Sequence, residues 1–269
     1  MKLELQAYLS GAQPGFERSV VREYLQARIL QAVGLSGQMT SIAFMGGTAL
    51  RFLYAIPRYS EDLDFALEGD PGGYRFDDLL ARIVRTFERE GYAVEAAQKP
   101  NRTAVDKAFL KFPGILHELD LSPHVSEVVS VKIEVDTNPP DGAVCEISEV
   151  RRYALARVLH HDKASLLAGK LAALFMRPYT KGRDLYDLLW YLSDPTWPQP
   201  NLELLSSALE QGGWRGPEVD QTTWRTVLLE RLGTVDWKKG KLEAVQFLER
   251  PAEAEMLDLE TFGRLLASQ

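Results

Sequence analysis

The chain has 269 residues, of which 45% are hydrophobic and 26% charged, an ordinary globular composition with ample material for a core. Its net charge of −7 argues against a surface built for extensive non-specific polyanion binding, while leaving room for a local basic cleft. No apolar run approaches the ~20 residues that cross a bilayer, MKLELQAYLSG lacks the apolar stretch of a signal peptide, and the single cysteine, Cys145, cannot close a disulfide within the chain. A cytoplasmic setting without membrane contact is therefore expected.

Residues 16–33, FERSVVREYLQARILQAV, carry apolar positions at helical spacing and predict a helix beside the core. Residues 41–45 predict a short strand. Gly46-Gly47 interrupt it and let backbone N–H groups approach a ligand closely. Residues 48–55, from Thr48, predict a helix whose N-terminus faces the same space and favours phosphate. Ile56-Pro57 ends it. Residues 61–67 predict a strand, on which Asp62 and Asp64 share one face while Leu63 and Phe65 share the other. Two carboxylates projecting together repel unless a cation neutralises them. The usual one is Mg²⁺, and such a pair suits phosphoryl or nucleotidyl transfer.

After a turn at residues 70–73, residues 76–90 predict an amphipathic helix with Leu79, Leu80, Ile83, Val84 and Phe87 on its apolar face, closed by Gly91. Residues 92–97 and 107–112 predict strands joined by a loop at Asn101-Arg102-Thr103. Residues 127–137 predict another strand, ended by Asn138-Pro139-Pro140. There, Val131, Ile133 and Val135 share one face, and Lys132, Glu134 and Asp136 the other. Three unpaired charges are not buried, so that face is exposed or meets a metal.

From Arg151 onward the pattern reads as almost entirely helical, which puts His160-His161 on a helix, about 100° apart and unsuited to sharing one ion. The helix over 163–177 has a stripe of Leu166, Leu167, Leu171 and Leu174. Lys170 lies in that stripe and needs an anion, unless it snorkels from the edge. GRDLYDLLWYL has a stripe of Leu185, Leu188, Leu189 and Leu192, with Asp184 and Asp187 on an adjoining face. Asp184 also has the position of a helix N-cap. The expected organisation is an α/β domain over 1–150 and a helical domain over 151–269 that brings Lys170 and residues 183–187 to the site.

The stretch FMGGTALRFLYAIPRYSEDLDF resembles the signature of the DNA polymerase beta-like nucleotidyltransferase superfamily: an apolar residue, a glycine pair, then two carboxylates flanking one residue. Together with VKIEVDT, AGKLAALFMR and KGRDLYDLLWYL it is similar to the AbiEii/AbiGii-type toxins of bacterial toxin–antitoxin and phage-defence systems, over about residues 40 to 195. The resemblance implies an α+β fold, a mixed sheet with flanking helices followed by a mostly helical C-terminal region. It implies Mg²⁺-dependent transfer of a nucleoside monophosphate from an NTP to a tRNA 3′ end or a protein hydroxyl, and a cognate antitoxin that need not touch the toxin. Asp62, Asp64 and a third carboxylate, Glu134 in preference to Asp136, would hold one or two Mg²⁺ ions. Lys170, Asp184 and Asp187 would complete the catalytic set. Gly46, Gly47, Thr48, Arg58, Ser60, Lys170 and Arg183 would hold the nucleotide. The rivals are a small-molecule, aminoglycoside-like nucleotidyltransferase and an inactive nucleotidyltransferase fold used as a binding module.

Overall fold

The computed structural model describes residues 2–98 and 104–267, and the chain forms two units that interleave in sequence. The first comprises Met1–Tyr54, Tyr59–Asn138 and Glu146–His160. Its seven strands are β1 (Ile42–Met45), β2 (Asp62–Leu67), β3 (Glu95–Gln98), β4 (Val105–Pro113), β5 (Val128–Asp136), β6 (Cys145–Arg152) and β7 (Ala154–His161). They form one sheet in the order β3-β4-β5-β2-β1-β7-β6. It is mixed: β2 runs antiparallel to β1 and parallel to β5, β4 is antiparallel to both β3 and β5, and β1 is parallel to β7.

The helices of this unit are α1 (Lys2–Leu9), α2 (Glu17–Ser36), α3 (Gly46–Tyr54), α4 (Phe76–Arg89) and the single turn α5 (Ile115–Glu118). Helix α2 ends at Gly37, whose left-handed backbone is the usual helix stop. It packs against α4 and β5. Leu63, Phe65, Val131, Ile133 and Val135 are all inaccessible to solvent, as the alternation along β2 and β5 predicts.

The second unit comprises Ala55–Arg58, Pro139–Cys145 and His161–Gln269. It holds α6 (Lys163–Met176), α7 (Gly182–Leu192), α8 (Leu202–Gln211), α9 (Trp224–Leu232), α10 (Trp237–Ala244) and α11 (Leu259–Ala267). Asp162 caps α6 by accepting the Ser165 N–H at 2.7 Å. Helix α6 packs on α7, α8 and α9, and α7 packs on α10. A Cβ on Gly182 would lie 2.0 Å from the Gly240 carbonyl, so α7 and α10 touch backbone to backbone. The short segment 55–58 is stitched in by a bridge from Arg58 to Leu248 and by the Glu249 N–H donating to the Pro57 carbonyl at 3.1 Å.

The helical reading from Arg151 begins too early, because the sheet continues to His161. Ala156, Val158 and His160 are buried while Leu155 and Arg157 are exposed, a period of two. Alanine, leucine and arginine are strong helix formers, and their propensity masked that alternation. His160 and His161 therefore point to opposite faces of a strand, and the His160 ring pairs with the Ser148 hydroxyl at 2.9 Å. The strand read at 92–97 begins only at Glu95, and the loop read at Asn101-Arg102-Thr103 lies outside the described residues.

Candidate active site

In the first unit, β1 hands the chain directly to α3 through Gly46, whose φ is +77°. A Cβ there would sit 2.6 Å from Asp64 Oδ2, so both backbone and space demand glycine. Thr48, fully buried, donates its hydroxyl to the Asp62 carbonyl and ties the first turn of α3 to β2. The parallel register of β2 and β5 sets Asp62 opposite Lys132, Asp64 opposite Glu134, and Ala66 opposite Asp136. By parity Asp62, Asp64, Lys132 and Glu134 share the polar face.

The charges on this face are paired. Lys132 Nζ lies 2.5 Å from Glu134 Oε2 and 4.0 Å from Asp62 Oδ2. From β4, Lys107 Nζ reaches Glu134 Oε1 at 3.2 Å. Burial alone would raise the Glu134 pKa, but Lys132 and Lys107 outweigh it and hold the carboxyl below its ordinary value. Burial likewise opposes the charge on Lys132, and the surrounding Glu134, Asp62 and Asp64 overcome it, so the ammonium is held more firmly than usual. Asp136 differs: burial raises its pKa against the Asn138 N–H that it accepts at 3.0 Å, where it closes the end of β5. Sequence reading put Lys132 on this face without giving it a role, and left Lys107 out. The signal for Lys132 was parity with Glu134 along one strand, whereas Lys107 is set opposite Glu134 only by the register of β4 against β5.

A second charged cluster lies within the second unit. Arg58 grips Asp187 with a fork, Nε to Oδ1 at 2.5 Å and a terminal nitrogen to Oδ2 at 2.7 Å. The two side chains are 2% and 0% exposed. Lys170 Nζ lies 2.6 Å from Asp187 Oδ2 and 2.9 Å from Asp184 Oδ1, and Arg177 pairs with Asp184 Oδ2 at 2.5 Å. Burial pushes the Asp184 pKa up, but Lys170 and Arg177 more than reverse this and hold it at about 2. Burial opposes charge on Lys170 in the same way, and Asp184 and Asp187 raise its pKa above the ordinary value.

Two alternatives from the sequence fall here. Lys170 does not snorkel, because its ammonium is turned onto two carboxylates. Asp184 is not a cap, because Lys181 holds that position on α7. The Arg183 guanidinium lies 4.4 Å from the centroid of the Phe247 ring. The Ser60 carbonyl accepts from the Gln26 amide at 3.2 Å in the first unit. Arg177, the last residue of the AGKLAALFMR segment, has no role in the sequence reading.

The sequence profile of the nucleotidyl transferase AbiEii toxin family, of type IV toxin–antitoxin systems, matches residues 28–264. The chain belongs to this family. It is a nucleotidyltransferase, as the family description states. Among solved structures it is similar to MenT4, a nucleotidyltransferase toxin from Mycobacterium tuberculosis H37Rv, with a TM-score of 0.64 and 15% identity, over 100% of this chain and 90% of that one. It is also similar to JHP933 from Helicobacter pylori, with a TM-score of 0.54 and 18% identity, over 94% of this chain and 90% of that one. At such identities the likeness carries the fold, and the expected α+β class holds. No curated relative matches the sequence. Among the described residues, no helix is long and apolar enough to cross a membrane.

Proposed function

We propose that this AbiEii-family chain transfers a nucleoside monophosphate from an NTP to a macromolecular hydroxyl, and that the polar face of β2 and β5 is the centre of the reaction. The observation that carries this reading is Gly46, which leaves no room for a Cβ against Asp64, while Glu134 stands across from Asp64 in register.

Asp62, Asp64 and Glu134 offer hard oxygen donors, and the Lys132 ammonium already lies among them as a cation, so the residues fit a divalent ion such as Mg²⁺. Glu134 is engaged by Lys132 at 2.5 Å and by Lys107 at 3.2 Å, contacts it would exchange for a metal. When bound, such an ion supplies charge for the triphosphate and lowers the pKa of an attacking hydroxyl. The backbone N–H groups of Gly46, Gly47 and Thr48 open α3 and are oriented to receive phosphate oxygens. The Thr48 bond to β2 fixes that helix end relative to Asp62, which is the preorganisation that in-line displacement requires. The acceptor hydroxyl forms a bond to the α-phosphorus as the bond to the β-phosphate oxygen breaks, releasing pyrophosphate.

Lys170, Asp184 and Asp187 are proposed to serve the same reaction, with Arg58, Ser60 and Arg183 as nucleotide ligands. For Lys170 the support is an ammonium held inward and firmly charged by its two carboxylates, a cation ready for a polyanion. The acceptor is a tRNA 3′ end or a protein hydroxyl, and toxin-family membership favours these over an aminoglycoside-like small molecule. A cognate antitoxin is the expected partner, without need of contact with the toxin.

Incubation with each α-labelled NTP, Mg²⁺ and total RNA or cell protein tests this. Label on tRNA or on a protein, lost in Asp62→Asn and Asp64→Asn, supports the reading. Label on a small molecule alone favours the rival enzyme, and full transfer by either variant removes the metal assignment.

A further inference from the structure

We propose that Lys132 is a built-in counter-ion of the carboxylate face, one that holds divalent metal off until a nucleotide arrives to take the ammonium over. The proposal rests on the reading that Asp62, Asp64 and Glu134 hold a metal, and it deepens that reading by coupling metal entry to nucleotide entry.

The geometry behind it is simple. Lys132 projects from β5 directly opposite Asp62, two residues before Glu134 on the same face. Its Nζ sits 2.5 Å from Glu134 and 4.0 Å from Asp62. Lys107 adds a second ammonium on the far oxygen of Glu134, from a more exposed position. Lys132 and Lys107 together offset two of the negative charges that Asp62, Asp64, Glu134 and Asp136 bring to this face, which weakens its attraction for a hydrated divalent ion. A metal arriving alone must also break the short Lys132–Glu134 pair and leave a half-buried ammonium beside a dication. A triphosphate changes both terms: it brings its own negative charge, and it gives Lys132 a new anionic partner, so Glu134 is released to the metal. Metal and nucleotide then bind with positive coupling, and by linkage each raises the other's affinity equally.

The alternative is that Lys132 merely relieves carboxylate repulsion between β2 and β5. In that case its loss would destabilise the sheet without improving metal binding. The test measures Mn²⁺ binding to the full chain by electron paramagnetic resonance, with and without a non-hydrolysable NTP analogue. Lys132→Met keeps the stem and removes the charge, and Lys132→Gln serves as a second variant should the first fold poorly. Without nucleotide, the variant is expected to bind Mn²⁺ at least about tenfold more tightly than wild type, within the usual range of site-to-site coupling. With the analogue present, the gap should narrow, because wild type gains both from the charge of the triphosphate and from the release of Glu134, whereas the variant gains only from the charge. Equal or weaker Mn²⁺ affinity in both variants, with binding lost in Asp64→Asn, overturns the role of Lys132 and leaves the metal reading standing. Mn²⁺ binding that survives Asp64→Asn and Glu134→Gln unchanged overturns the metal reading itself, and the counter-ion role falls with it.

Discussion

Gly46→Ala and Gly91→Ala place the same methyl on nearly the same backbone, with different neighbours. The two glycines have φ of +77° and +83°. An L-residue in this region costs about 1–2 kcal/mol, so both variants should unfold at a lower temperature, by about 2–4 °C per kcal/mol lost. At Gly91, just beyond α4, the new Cβ meets nothing within 4 Å, and strain is the whole effect. At Gly46 the new Cβ lies 2.6 Å from Asp64 Oδ2 and 3.3 Å from its Cβ and Cγ, so the carboxylate must swing away. A displacement of about 1 Å at a reacting centre costs roughly 10²-fold in rate. Similar thermal losses are therefore expected in both variants, measured by scanning calorimetry, and a loss of transfer of about 10²-fold only in Gly46→Ala, measured as the initial rate of label incorporation. Gly46→Ala transferring at the rate of Gly91→Ala would refute the argument, since Asp64 would then have moved without consequence.

Glu134→Gln should lose transfer as Asp64→Asn does, while Asp136→Asn, opposite Ala66 and engaged with Asn138, should stay largely active in the same label assay. The reverse result moves the third carboxylate to Asp136. Arg58→Met leaves the buried Asp187 carboxylate with the single contact of Lys170 in place of its fork and should cost up to about 3–5 kcal/mol in urea unfolding. Lys170→Met should cost clearly less, because Arg177 still serves Asp184 and Arg58 still serves Asp187. Equal losses would mean that the cluster does not share charge in this way. Lys170→Met should nonetheless bind NTP more weakly by calorimetry with Mg²⁺ present. The acid limit of stability should also carry the mark of Asp184, whose pKa falls from an ordinary 3.8 to about 2 on folding. A depressed carboxyl contributes its full stability above 3.8 and loses it as pH falls through about 2. Denaturation measured across that window should show this loss in wild type and not in Asp184→Asn.

Much of the candidate site was legible because helices and strands print their periods locally. The period of two along 61–67 and 127–137 separated Leu63, Phe65, Val131, Ile133 and Val135 from the charged residues, and all five are buried. The stripes of α6 and α7 turned Lys170 inward before any partner was known. The paired glycines marked the strand-to-helix break, since a residue at φ +77° beside a carboxylate has to lack a side chain. The fold class and family also followed from motifs within a short reach of one another. What the sequence could not hold was anything decided by pairing at a distance. Arg58 and Asp187 form their fork across 129 positions, and nothing local to either one names the other. Strand β7 was hidden behind helix-forming residues that its place between β1 and β6 in the sheet holds extended. The choice between Glu134 and Asp136 shows the limit most clearly. A slip of two residues leaves every face of a strand unchanged, so parity cannot tell these two carboxylates apart. Only the register against β2 puts Glu134, and not Asp136, across from Asp64.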